Sequence, residues 1–260
     1  MKLRLAALSA LLVLALVWTA GSRAQISNVP GSTNPVEFYA CNWVEGRGME
    51  DLLKVAAEFR DWAKKYDPDY SAWILTPEFH HNTANFDVAW LGSWPDLTSF
   101  GQAHANLHAY GRNLTEAFDR VIDCSDRHEL VTSILVDAPQ GPPENGVVVF
   151  HQCRLAPGKT VKDALKAHME AGAIMKRLGS KQRSWIYTPG LGAGDIDFDY
   201  WRLLVFSDYP ELAQMLDIYT RGGGKEKTDP IYADIASCDL PTVFDARWAK
   251  KGPWYRGAAD

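Results

Sequence analysis

The stretch SAWILTPEFHHNTANFD at 71–87 comes back as RSWIYTPGLGAGDIDFD at 183–199. In each, strand-forming residues run into Thr-Pro, a polar loop follows, and Phe-Asp leads into a second apolar run. That is the pattern of a β-hairpin, written twice. Extending the same offset outward puts Cys41 on Cys153, Gly46 on Gly158, Asp51 on Asp163 and Leu53 on Leu165. Further on, Trp73 falls on Trp185, Asp96 on Asp208 and Gln102 on Gln214, with no gap from Cys41 to Gln102. Cys124 then reaches Cys238 after a two-residue insertion. Rare residue types held in one register indicate an internal duplication.

Around each hairpin the remaining elements follow from periodicity. VEFYACNW alternates and reads as a strand, and Gly46 and Gly48 break it. MEDLLKVAAEFRDWAKKY carries Leu52, Val55, Ala56, Phe59 and Ala63 on one stripe, which predicts an amphipathic helix ended by Asp67-Pro68. SAWILT and FDVAWLGSW are the hairpin strands. DLTSFGQAHANLHAY with LTEAFDRVI predicts an interrupted second helix, and HELVTSILV a fourth strand. The second copy repeats this order, β-α-β-β-α-β. The predicted layout is a first α+β repeat at 36–137, a Pro/Gly linker at 138–145, a second repeat at 146–248 and an exposed tail at 249–260.

The N-terminus, MKLRLAALSALLVLALVWTAGSRAQ, has a basic start, an apolar run and Ser22-Arg23-Ala24 as a cleavage site, so 1–24 reads as a secretory signal peptide. Its loss removes Lys2, Arg4 and Arg23, leaving 24 basic against 32 acidic residues. That acidic balance, without basic runs, argues against nucleic acid as a partner, and no later stretch predicts membrane insertion. Export to the periplasm or outside the cell suits the four cysteines, which read as two disulfides. If each repeat is a structural unit, the pairs are Cys41–Cys124 and Cys153–Cys238; the crossed alternative joins Cys41 to Cys153 and Cys124 to Cys238.

Two split β-α-β units in tandem resemble a single-chain version of the dimeric α+β barrel superfamily, in which two ferredoxin-like units pack sheet to sheet. The resemblance rests on element order and duplication over 36–248. It implies a pseudo-dimer that needs no further oligomerisation, and a cavity between each sheet and its helices suited to a small apolar or aromatic molecule. The superfamily includes monooxygenases, muconolactone isomerase, haem enzymes and proteins of unclear activity, so function has to come from the site.

Candidate site residues gather in the first copy. His80, His81, His104 and His108 correspond to Gly192, Ala193, Leu216 and Thr220 in the second. His104 and His108 are one helical turn apart, and with His81 could hold one transition metal. His104, His80 and Asp87 are candidate catalytic groups, Asp87 as a general base or as a cap of the hairpin loop. Trp73, Trp90, Tyr187, Trp201 and Arg202 are candidate ligand-binding residues on the central strands. His151 and His168 would be haem ligands only in a haem-binding relative. GLGAG (190–194) and RGGGK (221–225) lack phosphate-loop spacing and read as turns. Three functions follow as expectations: a monooxygenase- or isomerase-like enzyme with no cofactor, a non-catalytic ligand-binding or interaction protein, and a His-based metalloenzyme.

Overall fold

A computed structural model describes residues 30–80 and 85–252. The segment 1–24 expected to be a signal peptide, His81 and the end of the tail lie outside the described residues. The described chain forms β1 (Thr33–Trp43), α1 (Met49–Tyr66), β2 (Ser71–Phe79), β3 (Val88–Ser93), α2 (Leu97–Tyr110), α3 (Arg112–Asp119) and β4 (Ile122–Asp137). It continues with β5 (Asn145–Leu155), α4 (Val161–Arg177), β6 (Arg183–Leu191), β7 (Tyr200–Phe206), α5 (Tyr209–Arg221), α6 (Gly224–Tyr232), β8 (Ala236–Cys238) and β9 (Thr242–Lys250).

Every strand pairing is antiparallel. One sheet runs β4-β1-β3-β2 and another β9-β5-β7-β6. They do more than face each other: β2 pairs with β9 and β4 with β6, so the two sheets join at both edges. The result is a closed antiparallel barrel with helices outside, which leaves no bare edge to pair with another chain. β8 continues the β5–β9 edge of the ring, pairing with Cys153–Leu155 of β5 beyond the end of β9.

Alternation along each strand sends one set of side chains inward and the other toward the helices. Val36, Trp73, Leu75, Leu91, Trp201 and Leu203 pack in the barrel interior. Outside the first sheet, α1 buries the predicted stripe Leu52, Val55, Ala56, Phe59 and Ala63 against Ile74, Val88 and Trp90. Caps set the helix starts. Asp96 accepts from Ser99 N at 2.7 Å at α2, Asp208 accepts from Glu211 N at 2.8 Å at α5, and Thr160 with Asp163 forms a capping box at α4.

Disulfides join Cys41 to Cys124 and Cys153 to Cys238, so the crossed pairing is absent. The last strands of the two halves differ in form. β4 carries Cys124 within one 16-residue strand, absorbing a register shift opposite Ala40 and Asn42. In the second half Asp239-Leu240-Pro241 intervenes; Pro241 has no N–H to give a ladder, and Cys238 sits on the separate β8.

The sequence sets aside two segments as linker and tail that the structure packs. Ala138 is buried, and Pro143 O accepts from Trp73 Nε1 at 3.3 Å, so the predicted linker caps one barrel end. Ala249 and Lys250 lie in β9 and are buried, with Lys250 Nζ donating to Pro68 O and Tyr70 O at 3.0 and 2.6 Å. A tail reading treats Lys250 as solvated; carbonyls released at the end of α1 hold it instead.

Candidate functional site

The helix-covered face of the first sheet holds a cavity of about 190 Å³, lined by Phe59, Trp62, Trp90, Trp94, His104 and Phe118 among others. Its polar end is Glu37, which occupies an outward position on β1 between Val36 and Phe38, both of which face the interior. Closure of α2 over the sheet leaves Glu37 only 6 % exposed. Tyr70 Oη donates to Glu37 Oε1, and Trp90 Nε1 donates to Tyr70 Oη at 2.7 Å. Glu37 Oε2 has no hydrogen bond of good geometry, yet two imidazoles face it: His104 Nε2 at 3.5 Å and His128 Nε2 at 3.6 Å. Tyr39 stacks on His128 with ring centroids 3.7 Å apart.

Gly92 makes this arrangement possible. A Cβ on Gly92 would overlap the Tyr70 hydroxyl, so only glycine lets the Tyr70 ring lie across β3 and reach Glu37.

Burial pushes the Glu37 carboxyl up, but the facing His104 and His128 imidazoles and the Tyr70 hydroxyl together outweigh it and hold Glu37 below the ordinary carboxylate range. In return, the Glu37 contact raises His104, against the opposing effect of its own partial burial. Burial and then the Glu37 charge push the Tyr39 and Tyr70 hydroxyls far up, so both stay protonated. Asp67, at the end of α1, is also buried; desolvation raises it to about 7, although Trp94 Nε1 donates to its two oxygens at 3.1 and 3.3 Å. Lys250, brought down to about 8 by burial, is drawn electrostatically toward Asp67. The cavity thus combines aromatic walls with the Glu37 and Asp67 carboxyls, the His104 imidazole and protonated phenols, while the exposed His128 reaches Glu37 from outside the lining; the set is able to accept and return a proton.

The structure distributes the sequence-predicted residues among separate compartments. Of the candidate catalytic groups, His104 lines the cavity and His80 and Asp87 do not. His80 is exposed on the hairpin. Asp87 is exposed as well, and its Oδ2 accepts from Trp43 N at 2.9 Å, just as Asp199 Oδ2 accepts from Leu155 N at 2.7 Å. Each aspartate extends the β1–β3 or β5–β7 ladder past the disulfide, so Asp87 is a structural clasp instead of a base. The predicted metal set is split: His108 is exposed, His104 faces Glu37, and His81 lies outside the described residues. Among the described residues no group of three or more His, Cys, Asp or Glu side chains is placed to hold a metal ion.

Of the ligand-binding candidates, only Trp90 lines this cavity. Trp73 and Tyr187 line a chamber of about 210 Å³ inside the barrel, where Trp73 stacks on Trp248. Trp201, with Tyr187 again, lines a second interior chamber of about 340 Å³. Arg202 points outward on the second sheet, its guanidinium 5.4 Å from the Tyr232 ring. There His168 has both nitrogens engaged, Nδ1 with Tyr232 Oη at 3.1 Å and Nε2 with Tyr200 Oη at 3.0 Å, which does not fit an axial haem ligand.

Sequence reasoning passed over Glu37, Tyr70 and His128. A signal existed for the first: a lone acid in VEFYACNW shares its strand face with Tyr39 and Cys41. His128 had none, because its approach to Glu37 depends on the β1–β4 register, which sets Tyr39 opposite His128.

No family model matches the chain, and no curated protein matches it. Among solved structures it is similar to a candidate monooxygenase from Lactobacillus acidophilus NCFM, at a TM-score of 0.53 and 11 % identity, covering 88 % of this chain and 99 % of that one. It is also similar to a candidate monooxygenase from Fusobacterium nucleatum subsp. nucleatum, at 0.51 and 10 % identity, covering 85 % and 94 %. The chain therefore has the dimeric α+β barrel fold, closed here within one polypeptide. At such identities the likeness concerns the fold alone, and the site must speak for the chemistry.

Proposed function

We propose that this is an exported protein, built as two tandem ferredoxin-like repeats, that binds a small aromatic molecule beside Glu37 and abstracts a proton from it. The observation that carries the reading is Glu37 Oε2, a buried carboxylate oxygen at the polar end of an aromatic cavity, faced by the His104 and His128 imidazoles at 3.5 and 3.6 Å but given no hydrogen bond of good geometry. A buried acceptor in that state is costly unless something donates to it. The donor is a weakly acidic C–H or O–H of the ligand. Its proton passes to Glu37, while His104 and His128 face the carboxylate and Tyr70, protonated, keeps donating to Oε1. Return of the proton to another position is isomerase-like. Attack of the resulting carbanion on dioxygen, as co-reactant, takes the proton back to give a hydroperoxide, whose O–O bond breaks with loss of water to leave a ketone, and that is monooxygenase-like. Neither route asks for a metal or an organic cofactor from the chain.

The test uses 2-tetralone, an aromatic ketone with weakly acidic C–H bonds, incubated with the mature protein in D₂O and followed by proton NMR. Exchange at the carbon beside the carbonyl accelerates, and Glu37→Gln or His104→Gln slows it by about 100-fold or more. Binding of 2-tetralone without accelerated exchange would replace the enzyme by the non-catalytic ligand-binding protein.

A further inference from the structure

Glu37 has a counterpart on the other side of the same sheet. β1 and β4 are registered so that Phe38 lies opposite Glu129 and Ala40 opposite Arg127. These positions face the interior, where Phe38, Phe150, Trp201 and Tyr187 line the chamber of about 340 Å³ together with Gln152 and Asp239, the latter paired with Arg154. Glu129 is only 3 % exposed within this aromatic enclosure. Its Oε1 accepts from Arg127 Nε at 2.5 Å, but its Oε2 has no hydrogen-bond partner. The Arg127 guanidinium lies 5.5 Å from the Phe38 ring and 5.6 Å from the Trp201 ring. Its remaining N–H groups hydrogen-bond to none of the described residues.

An ion pair inside a barrel costs desolvation, and apolar side chains of similar size would fill the space with no such cost. The chamber is also far too large to be a packing fault. It is more than twice the roughly 150 Å³ of an apolar cavity that takes up benzene. From the orphaned Glu129 oxygen, the adjacent guanidinium and the aromatic walls, we infer that the barrel interior is a second binding site, selective for a neutral hydroxy-aromatic molecule. The ligand hydroxyl donates to Glu129 Oε2 and accepts from an Arg127 N–H, while its rings stack among Phe38, Phe150 and Trp201. Because Glu129 and Arg127 already neutralise each other, an aromatic cation or anion gains only one of the two contacts and leaves its own charge buried. The site is separated from the Glu37 cavity by the sheet itself and does not depend on the function proposed for that cavity.

Two probes of nearly equal shape test this on the unmodified protein: 2-naphthol, which can donate, and 2-methoxynaphthalene, which cannot. Binding is followed residue by residue through backbone amide shifts in NMR. The expected result is that 2-naphthol perturbs Val131, Phe150 and Gln152, residues of the interior chamber, and binds there at least tenfold more tightly than the methoxy compound. A Glu129→Met and Arg127→Met double change, which removes both partners together, abolishes that preference. Equal affinity for the two probes, perturbations confined to Ala103, Leu107 and Leu114 of the outer cavity, or no perturbation at all would overturn the inference.

Discussion

The outer faces of the two sheets are built on one plan and finished differently. At the 112-residue offset, Glu37 corresponds to Val149, His104 to Leu216, Tyr70 to Gln182 and Gly92 to Leu204. In the opposite sense, Ala56 and Val88 of the first half correspond to His168 and Tyr200 of the second. Each face therefore carries one buried polar cluster, at different positions. In the second, His168 is satisfied on both nitrogens; burial, then the Arg202 and His151 charges, push it well below its ordinary range, so it is neutral. In the first, the carboxylate keeps an oxygen unsatisfied and raises the histidine beside it. Beside His168, Arg202 Nε is buried without a hydrogen-bond partner, so the contrast lies in the two histidines: His168 is satisfied and neutral, whereas His104 faces a carboxylate oxygen that lacks a well-formed hydrogen bond. That contrast is the ground on which the first face is proposed as the site.

The sharpest way to break this comparison is at Gly92 and Leu204, which hold corresponding places on β3 and β7. Gly92→Ala adds one methyl where the Tyr70 hydroxyl lies, so it displaces Tyr70 from Glu37. Overpacking and the lost hydrogen bond together cost about 3 kcal/mol. Leu204→Ile, a volume-conserving change in the second half, costs less than about 1.5 kcal/mol. Urea unfolding of the two variants measures both. Equal costs would mean that the first face is no more constrained than the second.

The next difference lies in Asp67, whose counterpart is Gly179. With its folded value raised to about 7 by burial, Asp67 favours the fold only when protonated. Its contribution is therefore best below the unfolded value near 4, declines as pH rises toward 7, and is flat above that. Asp67→Asn removes that decline while leaving Trp94 an acceptor. Stability at pH 8 rises by on the order of 2 kcal/mol relative to the unsubstituted protein, with no gain at pH 4. Thermal unfolding across pH 4 to 8 reads this directly, and parallel curves for the two proteins would refute it.

Much of the frame was legible in the residues because it was stated twice. The hairpins, the α1 stripe and the disulfide pairs each rest on local patterns that the second copy repeats. The site was harder, since it lives where the copies disagree and depends on tertiary closure. Glu37 sits at an alternating strand position that would face water in a two-layer protein; only α2, bringing His104, makes it a buried acid. Asp87 was open to two readings, a base beside aromatic residues or a cap repeated in both copies, and only the fold shows its partner, a backbone N–H two residues beyond Cys41. The linker misled too, because Pro and Gly segments without apolar side chains can still cap a barrel through their carbonyls, as Pro143 does for Trp73.

The smallest expected effect discriminates best between the two clusters, because it reads protonation without disturbing the fold. In an NMR titration His104 takes up its proton above the ordinary histidine value of about 6.5, whereas His151 does so only near 4 and His168 stays neutral throughout the range of stability. A raised His104 stabilises the fold fully below about 6.5, and that contribution fades as pH rises through its folded value. Glu37→Gln removes the contact that raises it, so the His104 midpoint falls while His151 and His168, across the barrel, do not move. A midpoint that stays put would show that Glu37 and His104 do not share a proton. Movement of all three would mean that the two faces are one electrostatic system instead of two, and the division between a raised histidine on one face and lowered ones on the other would fail with it.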